Sequence, residues 1–136
     1  MDDQEKRAYA EAILYAADRE KGVSSSEFDY FEDFCRKQQI SGEELREISA
    51  EISEGSKTLP EILSGIQSPE SRRGLLYVLA CMCDADAGIS ETELQFLNEV
   101  SQELAIDERT SKEIIRIAQA LTMLERQRDR LISGEE

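Results

Sequence analysis

The chain has no histidine and no tryptophan, only two prolines and three cysteines in 136 residues, and an aromatic content of 6%. Each shortage removes a class of chemistry. Without histidine there is no Ser-His-Asp triad, no Cys-His pair and no imidazole ligand for a metal. An odd cysteine count (Cys35, Cys81 and Cys83), with no cationic signal segment ahead of it, argues against a disulfide scaffold and for a reducing, cytoplasmic setting. Cys81 and Cys83 lie in the apolar stretch Leu75 to Cys83, which reads as a buried helix. Residues two apart on a helix point about 200° apart, so the pair cannot grip one metal and reads as core filling. No apolar run is long enough to cross a membrane. Basic residues are also scarce. Sixteen Lys+Arg face 30 Asp+Glu, a net charge of −14 that repels phosphate and argues against nucleic-acid partners. What remains is 40% hydrophobic residues and 34% charged ones. That is enough for the core of one all-α domain spanning residues 1–136.

The domain reads as an internal duplication. A shift of 66 residues (84 − 18) aligns Asp18-Arg-Glu-Lys-Gly22-Val-Ser24-Ser-Ser-Glu27-Phe28 with Asp84-Ala-Asp-Ala-Gly88-Ile-Ser90-Glu-Thr-Glu93-Leu94, without a gap. The register extends both ways. Phe34 meets Val100, Ile40 meets Ile106 and Ile48 meets Ile114, while Tyr9, Ala12 and Ile13 meet Leu75, Val78 and Leu79. Repeats of about 3–54 and 69–120 result, and packing of two pseudo-symmetric three-helix halves is expected.

Apolar period and capping residues predict seven helices. The first runs from about Asp3 to Ala17, with Tyr9, Ala12, Ile13 and Ala16 on one stripe. Ser24-x-x-Glu27 and Ser41-x-x-Glu44 are capping boxes opening the second and third, and Gly55 ends the third. Thr58-x-x-Glu61, with Pro60 in its first turn, opens a short fourth helix joining the halves. Ser68-Pro69 starts the fifth, Ser90-x-x-Glu93 the sixth with Leu94, Leu97, Val100 and Leu104, and Asp107 the seventh. The seventh is expected to bury Ile114, Ile117, Ala118, Leu121 and Leu124.

Each repeat carries a short acidic turn between two helices. Asp18 and Asp84 fall at helix C-terminal ends, where a carboxylate faces the negative end of the dipole at a cost of about 0.3–1 kcal/mol. The same conflict at two equivalent positions points to function. Gly22 and Gly88 permit a tight turn, and Glu27 and Glu93 return from the next helix, so each turn offers two or three carboxylates. Hard divalent cations such as Ca²⁺ or Mg²⁺ take such oxygen ligands. The spacing is not that of an EF-hand, since glycine comes at position 5 and the closing glutamate at position 10. The residues alone leave two readings open: a cation site, or turns whose carboxylates only cap backbone groups.

At this motif the chain resembles the tellurite-resistance TerB family, including the related N-terminal domain of the membrane-anchored co-chaperone DjlA. The matching stretches are Ala16-Ala-Asp18 to Glu27 and Cys83-Asp84-Ala-Asp86-Ala-Gly88-Ile-Ser90-Glu-Thr-Glu93, within a likeness running from about Tyr9 to Leu124. The resemblance implies about seven helices, a metal site built from the two acidic turns, a link to tellurite and other chemical stress, and no enzymatic activity. By position it makes Asp18, Glu20, Glu27, Asp84, Asp86 and Glu93 the candidate metal ligands. Arg19 and Lys21 dilute the first turn, so a site led by the second turn is expected.

Other groups read as structural. Arg126, Arg128 and Arg130 suit a solvated helix C-terminus, and Asp29, Glu32 and Asp33 a solvated face. Phe28, Tyr30, Phe31 and Phe34 serve the stripe of the second helix. No phosphate loop or nucleophile appears, which leaves a metal-assisted hydrolase only as a third option behind the two readings that follow. The expected function is a non-enzymatic divalent-cation-binding domain. The alternative is an acidic adaptor that binds a protein partner and uses the turns only as structure.

Overall fold

The computed structural model describes residues 2–19, 25–84 and 88–134, and among these it has seven helices and no strand. They are α1 (Asp3–Asp18), α2 (Ser25–Lys37), α3 (Gly42–Glu54), α4 (Leu59–Leu63), α5 (Pro69–Asp84), α6 (Glu91–Glu103) and α7 (Glu108–Ser133). The all-α expectation holds. Among the described residues no helix is long and apolar enough to cross a membrane. The chain forms two compact units, Met1–Arg72 and Arg73–Glu136, divided inside α5.

The backbone repeats with the sequence. α1 and α5 both have 16 residues and α2 and α6 both have 13, and each pair of bounds differs by 66 positions (69 − 3, 91 − 25). Helix ends repeat atom for atom. After α2, Ile40 N–H donates to Cys35 O (2.9 Å) and Gln39 N–H to Arg36 O (3.1 Å). After α6, Ile106 N–H donates to Ser101 O (2.9 Å) and Ala105 N–H to Gln102 O (3.1 Å). Both are Schellman closures, which need a left-handed residue. Gln39 (φ 59°) and Ala105 (φ 56°) fill that place although neither is glycine. At the N-termini, Asp2 accepts the Glu5 N–H (2.8 Å), and Ser68, its equivalent, accepts the Ser71 N–H (3.0 Å). Ser41 and Asp107 likewise accept the N–H three residues on, at 3.1 and 3.0 Å.

In the first unit α1 packs on α2, α3 and α4. Its Ala8, Ala10, Ala12, Ile13, Leu14 and Ala17 are buried, as are Phe31, Ile48, Ile52, Ile62 and Ile66. The small residues of α1 allow close approach: a Cβ on Gly65 would stand 3.0 Å from Ala8 Cβ. Tyr9 stacks on Phe34 with ring centroids 5.8 Å apart and donates its hydroxyl to Ser71 O; burial pushes its pKa up to about 12. Glu5 accepts the N–H groups of Gln67 (3.1 Å) and Ser68 (3.3 Å), tying α1 to the start of α5. Those two bonds hold its carboxyl below the usual range.

In the second unit α6 packs on α7. Leu75, Leu76, Leu79, Phe96, Leu97, Val100, Leu104, Ile115 and Ala118 are buried. Where the first unit has Cys35 and Leu45, the second has Ser101 and Ser111, whose hydroxyls bond at 2.6 Å while Ser101 donates to Leu97 O at 2.9 Å. A buried polar pair satisfied this way is tolerated in a core.

The expected apolar stripes need correction in this unit. Leu94 is 41% exposed on α6. On α7, Ile117, Leu121 and Leu124 are exposed, and the inward face is Ser111, Ile115 and Ala118. The two faces lie well over 90° apart at about 100° per residue, and apolar period alone favoured the more hydrophobic one. The capping boxes form at Thr58–Glu61 and Ser90–Glu93. At Ser41 only the serine half is made, because the Glu44 carboxylate turns to Arg7 Nη1 (3.3 Å). Ser24, and with it the box at Ser24–Glu27, lies outside the described residues.

A left-handed non-glycine residue costs about 1–2 kcal/mol, part of which the stiffer unfolded chain returns. Ala105→Gly is therefore expected to stabilise the protein by about 0.5–1 kcal/mol, read as a higher urea midpoint with an unchanged slope. A lower midpoint would refute the left-handed closure.

Candidate functional site

Asp84 is the last residue of α5 and continues the side of the helix that carries the buried Leu76, Leu79 and Ala80. That register carries its carboxylate inward, where it is 3% exposed. On α7 the inward face runs Ser111, Ile115, Ala118 and then, at four-residue steps, Thr122 and Arg126. Thr122 donates its hydroxyl to Asp84 Oδ2. Arg126 Nη2 donates to the same oxygen at 3.2 Å, and Nη1 to the Asp84 backbone carbonyl at 3.3 Å. One guanidinium thus answers both the buried carboxylate and the C-terminal end of the α5 dipole. Burial raises the Asp84 pKa, Arg126 opposes that rise, and Glu93 adds to it. Arg126 is accordingly a buried-carboxylate partner, not a solvated helix end. Sequence reasoning missed it and Thr122 because the inward face of α7 mixes serine, threonine and arginine with few apolar residues.

The other expected ligands have different surroundings. Glu93, in the first turn of α6, accepts the Ser90 N–H (2.9 Å) while Ser90 Oγ accepts the Glu93 N–H (3.1 Å). Gly88 has φ 91°, a conformation that suits glycine, and a Cβ there would stand 3.8 Å from Asp84 Oδ1. Gly88 therefore lies close to the Asp84 carboxylate. Asp18 ends α1 and Glu27 lies in the first turn of α2, both half-buried in the first unit. Glu20 and Asp86, with Gly22, lie outside the described residues. Among the described residues no three His, Cys, Asp or Glu side chains converge as a metal-holding group. Positions 66 before Thr122 and Arg126 are Ser56 and Pro60, beyond the end of α3 at Glu54. In the first repeat these two positions are split between the turn after α3 and the start of α4, so no single helix supplies an equivalent pair.

A second polar cluster lies on the first unit. Arg7 meets Glu44 (3.3 Å), Glu47 (3.3 Å) and Glu51 (2.9 Å), and Lys57 meets Glu11 (2.7 Å). Burial pushes the Glu11 carboxyl up, against the pull of Lys57. These pairs tie α1 to α3 and to the segment before α4, and Arg7 and Lys57 hold the nearby carboxylates. Cys35, Cys81 and Cys83 form no disulfide, and burial raises the Cys35 thiol to about 11, far from a reactive thiolate.

No family model, curated protein or solved structure matches the chain.

The Asp84–Arg126 pair sets a pH dependence. The fold binds the Asp84 proton more tightly than the unfolded chain does. Asp84 therefore weighs against folding as pH rises through the ordinary carboxylate range to its own raised pKa. Removing Arg126 enlarges that penalty. Arg126→Gln is expected to destabilise the protein by about 1–3 kcal/mol near neutral pH, with the deficit shrinking on acidification as Asp84 protonates. Urea midpoints measured against pH check this, and a pH-independent deficit would refute the pairing.

Proposed function

We propose that this chain is a non-enzymatic protein-interaction module whose contact surface is the outer face of α7. One observation carries the reading: Ile117, Leu121, Leu124 and Leu131 stand 49, 40, 57 and 81% exposed along one face, away from the side that packs on its own unit. An amphipathic face of this kind is bound by laying an apolar helix against it, read through anchors three and four residues apart. The carboxylates of the second turn are engaged within the fold, Asp84 with Arg126 and Glu93 in its cap. Among the described residues, these two offer no pair free for acid–base work. The likeness of the turns to the TerB family supports a chemical-stress role in the cytoplasm as part of this proposal.

Cation binding is the second reading, favoured by the nearness of Glu93 to Asp84 and by Gly88 beside Asp84 Oδ1. In that reading Asp84, Asp86 and Glu93 are the leading ligands in the second turn and Asp18, Glu20 and Glu27 the weaker set in the first, with Ca²⁺ or Mg²⁺ as the ion. The cation would have to share Asp84 with Arg126.

Affinity capture from a cell extract with the wild type and with the pair Leu121→Glu and Leu124→Glu tests the first reading. The variant is expected to lose the captured partner at least tenfold, and a chelator to change nothing. Capture that ignores the substitutions would overturn it. Calorimetry with Ca²⁺, Mg²⁺, Mn²⁺ and Zn²⁺ tests the second: heat that Asp84→Asn abolishes more completely than Asp18→Asn is the expected result, and no heat with any ion rejects it.

A further inference from the structure

We infer that the outer face of α7 pairs with the same face of a second copy of this chain, antiparallel, about a two-fold axis between Thr122 and Met123. The inference rests on the reading of α7 as the contact surface and names its partner. Ile114, Ile117, Leu121, Leu124, Arg128 and Leu131 take alternating steps of three and four residues, the spacing of a two-helix seam. All lie within α7, and the ridge is about 26 Å long at 1.5 Å per residue. Residues 127–134 are all exposed, so the C-terminal turns are open to a partner.

The antiparallel register is set by Arg128, the one charged residue in the ridge. A parallel pair would place Arg128 against Arg128. The antiparallel pair sets Leu121 opposite Leu124, Ile114 opposite Leu131, and Arg128 opposite Ile117, with Glu113 of the other copy one turn away. Arg128 then lays its stem on an apolar residue and its guanidinium near a carboxylate. Among the described residues these two groups are held by exposed neighbours, Arg128 by Asp129 (3.1 Å) and Glu113 by Arg116 (3.0 Å). Such pairs contribute little and exchange readily.

Charge favours a second copy at this place. Of the seven helices only α7 has more basic than acidic residues, six against four, in a chain of net charge −14. Two copies repel each other through their acidic helices, whereas α7 carries charges of both signs that can be paired across a two-fold seam. On one side of the seam Ala120 faces Gln127 of the other copy, both uncharged, and on the other side Glu125 faces Ala118, so no like charges stand directly opposite beside the axis. The same face on both copies gives a closed two-fold dimer.

Sedimentation equilibrium of the full chain, from about 1 µM to about 1 mM, is expected to show a concentration-dependent monomer–dimer equilibrium. Leu124→Glu, with its helical circular dichroism retained, should weaken it at least tenfold. Arg128→Glu should weaken it about fivefold, and Glu113→Arg added to Arg128→Glu should restore it. A photo-crosslinking residue at position 117 should capture residues near 128 of the other copy. A chain monomeric throughout, or capture centred on 117 itself, overturns the inference. If the chain stays monomeric while the ridge substitutions still abolish capture of another protein, only the self-pairing fails. If dimers form that Leu124→Glu leaves intact, self-pairing through α7 fails, and the α7 contact surface itself fails only if capture of another protein also ignores the ridge substitutions.

Discussion

Helix ends govern this protein. Short helices leave orphan N–H and C=O groups at every terminus, and each buried group left unpaired costs about as much as a lost hydrogen bond. Much of the polar chemistry of the chain answers that demand. Asp2, Ser41, Thr58, Ser90 and Asp107 cap N-termini, and Gln39 and Ala105 close C-termini in a conformation that only this demand makes worthwhile. The second acidic turn belongs to the same pattern. Glu93 returns to its cap, and Arg126 bridges the Asp84 carboxylate and its carbonyl.

The two repeats share these ends and diverge in the length of their third helices. α3 stops at Gly55, left-handed at φ 67°, and the chain turns toward α4. α7 has no such stop and continues to Ser133, twice the length of α3 at 26 residues against 13. The added turns bring Thr122 and Arg126 to Asp84 on one side of the helix and expose an apolar ridge on the other. A single change in helix length thus gave the second repeat both an internal counter-ion and an external surface. The Ser101–Ser111 bond marks the same divergence deeper down, where polar complementarity replaces the Cys35 and Leu45 of the first repeat.

This arrangement weakens the simplest reading of acidic residues in turns. A carboxylate at a helix C-terminus looks like a conflict awaiting a cation. Here the cation next to Asp84 is a guanidinium carried by the fold itself. Its placement depends on two helices distant in sequence, 42 residues apart from Asp84 to Arg126, and no local spacing announces it.

The chain alone determined the all-α class, the seven helices and their near boundaries, and the 66-residue register, because these arise from local terms: cap residues, glycine, and apolar period within one helix. It also determined that Asp84 and Glu93 would sit at facing ends of consecutive helices. Tertiary structure decided which face of α7 turns inward, since two faces carry apolar residues and only packing against α6 chooses between them. It decided, too, that Arg126 meets Asp84 and that Glu44 leaves its own cap for Arg7. A long, flexible charged side chain finds its partner through space, and the distance that makes the pair exists only once the helices are packed.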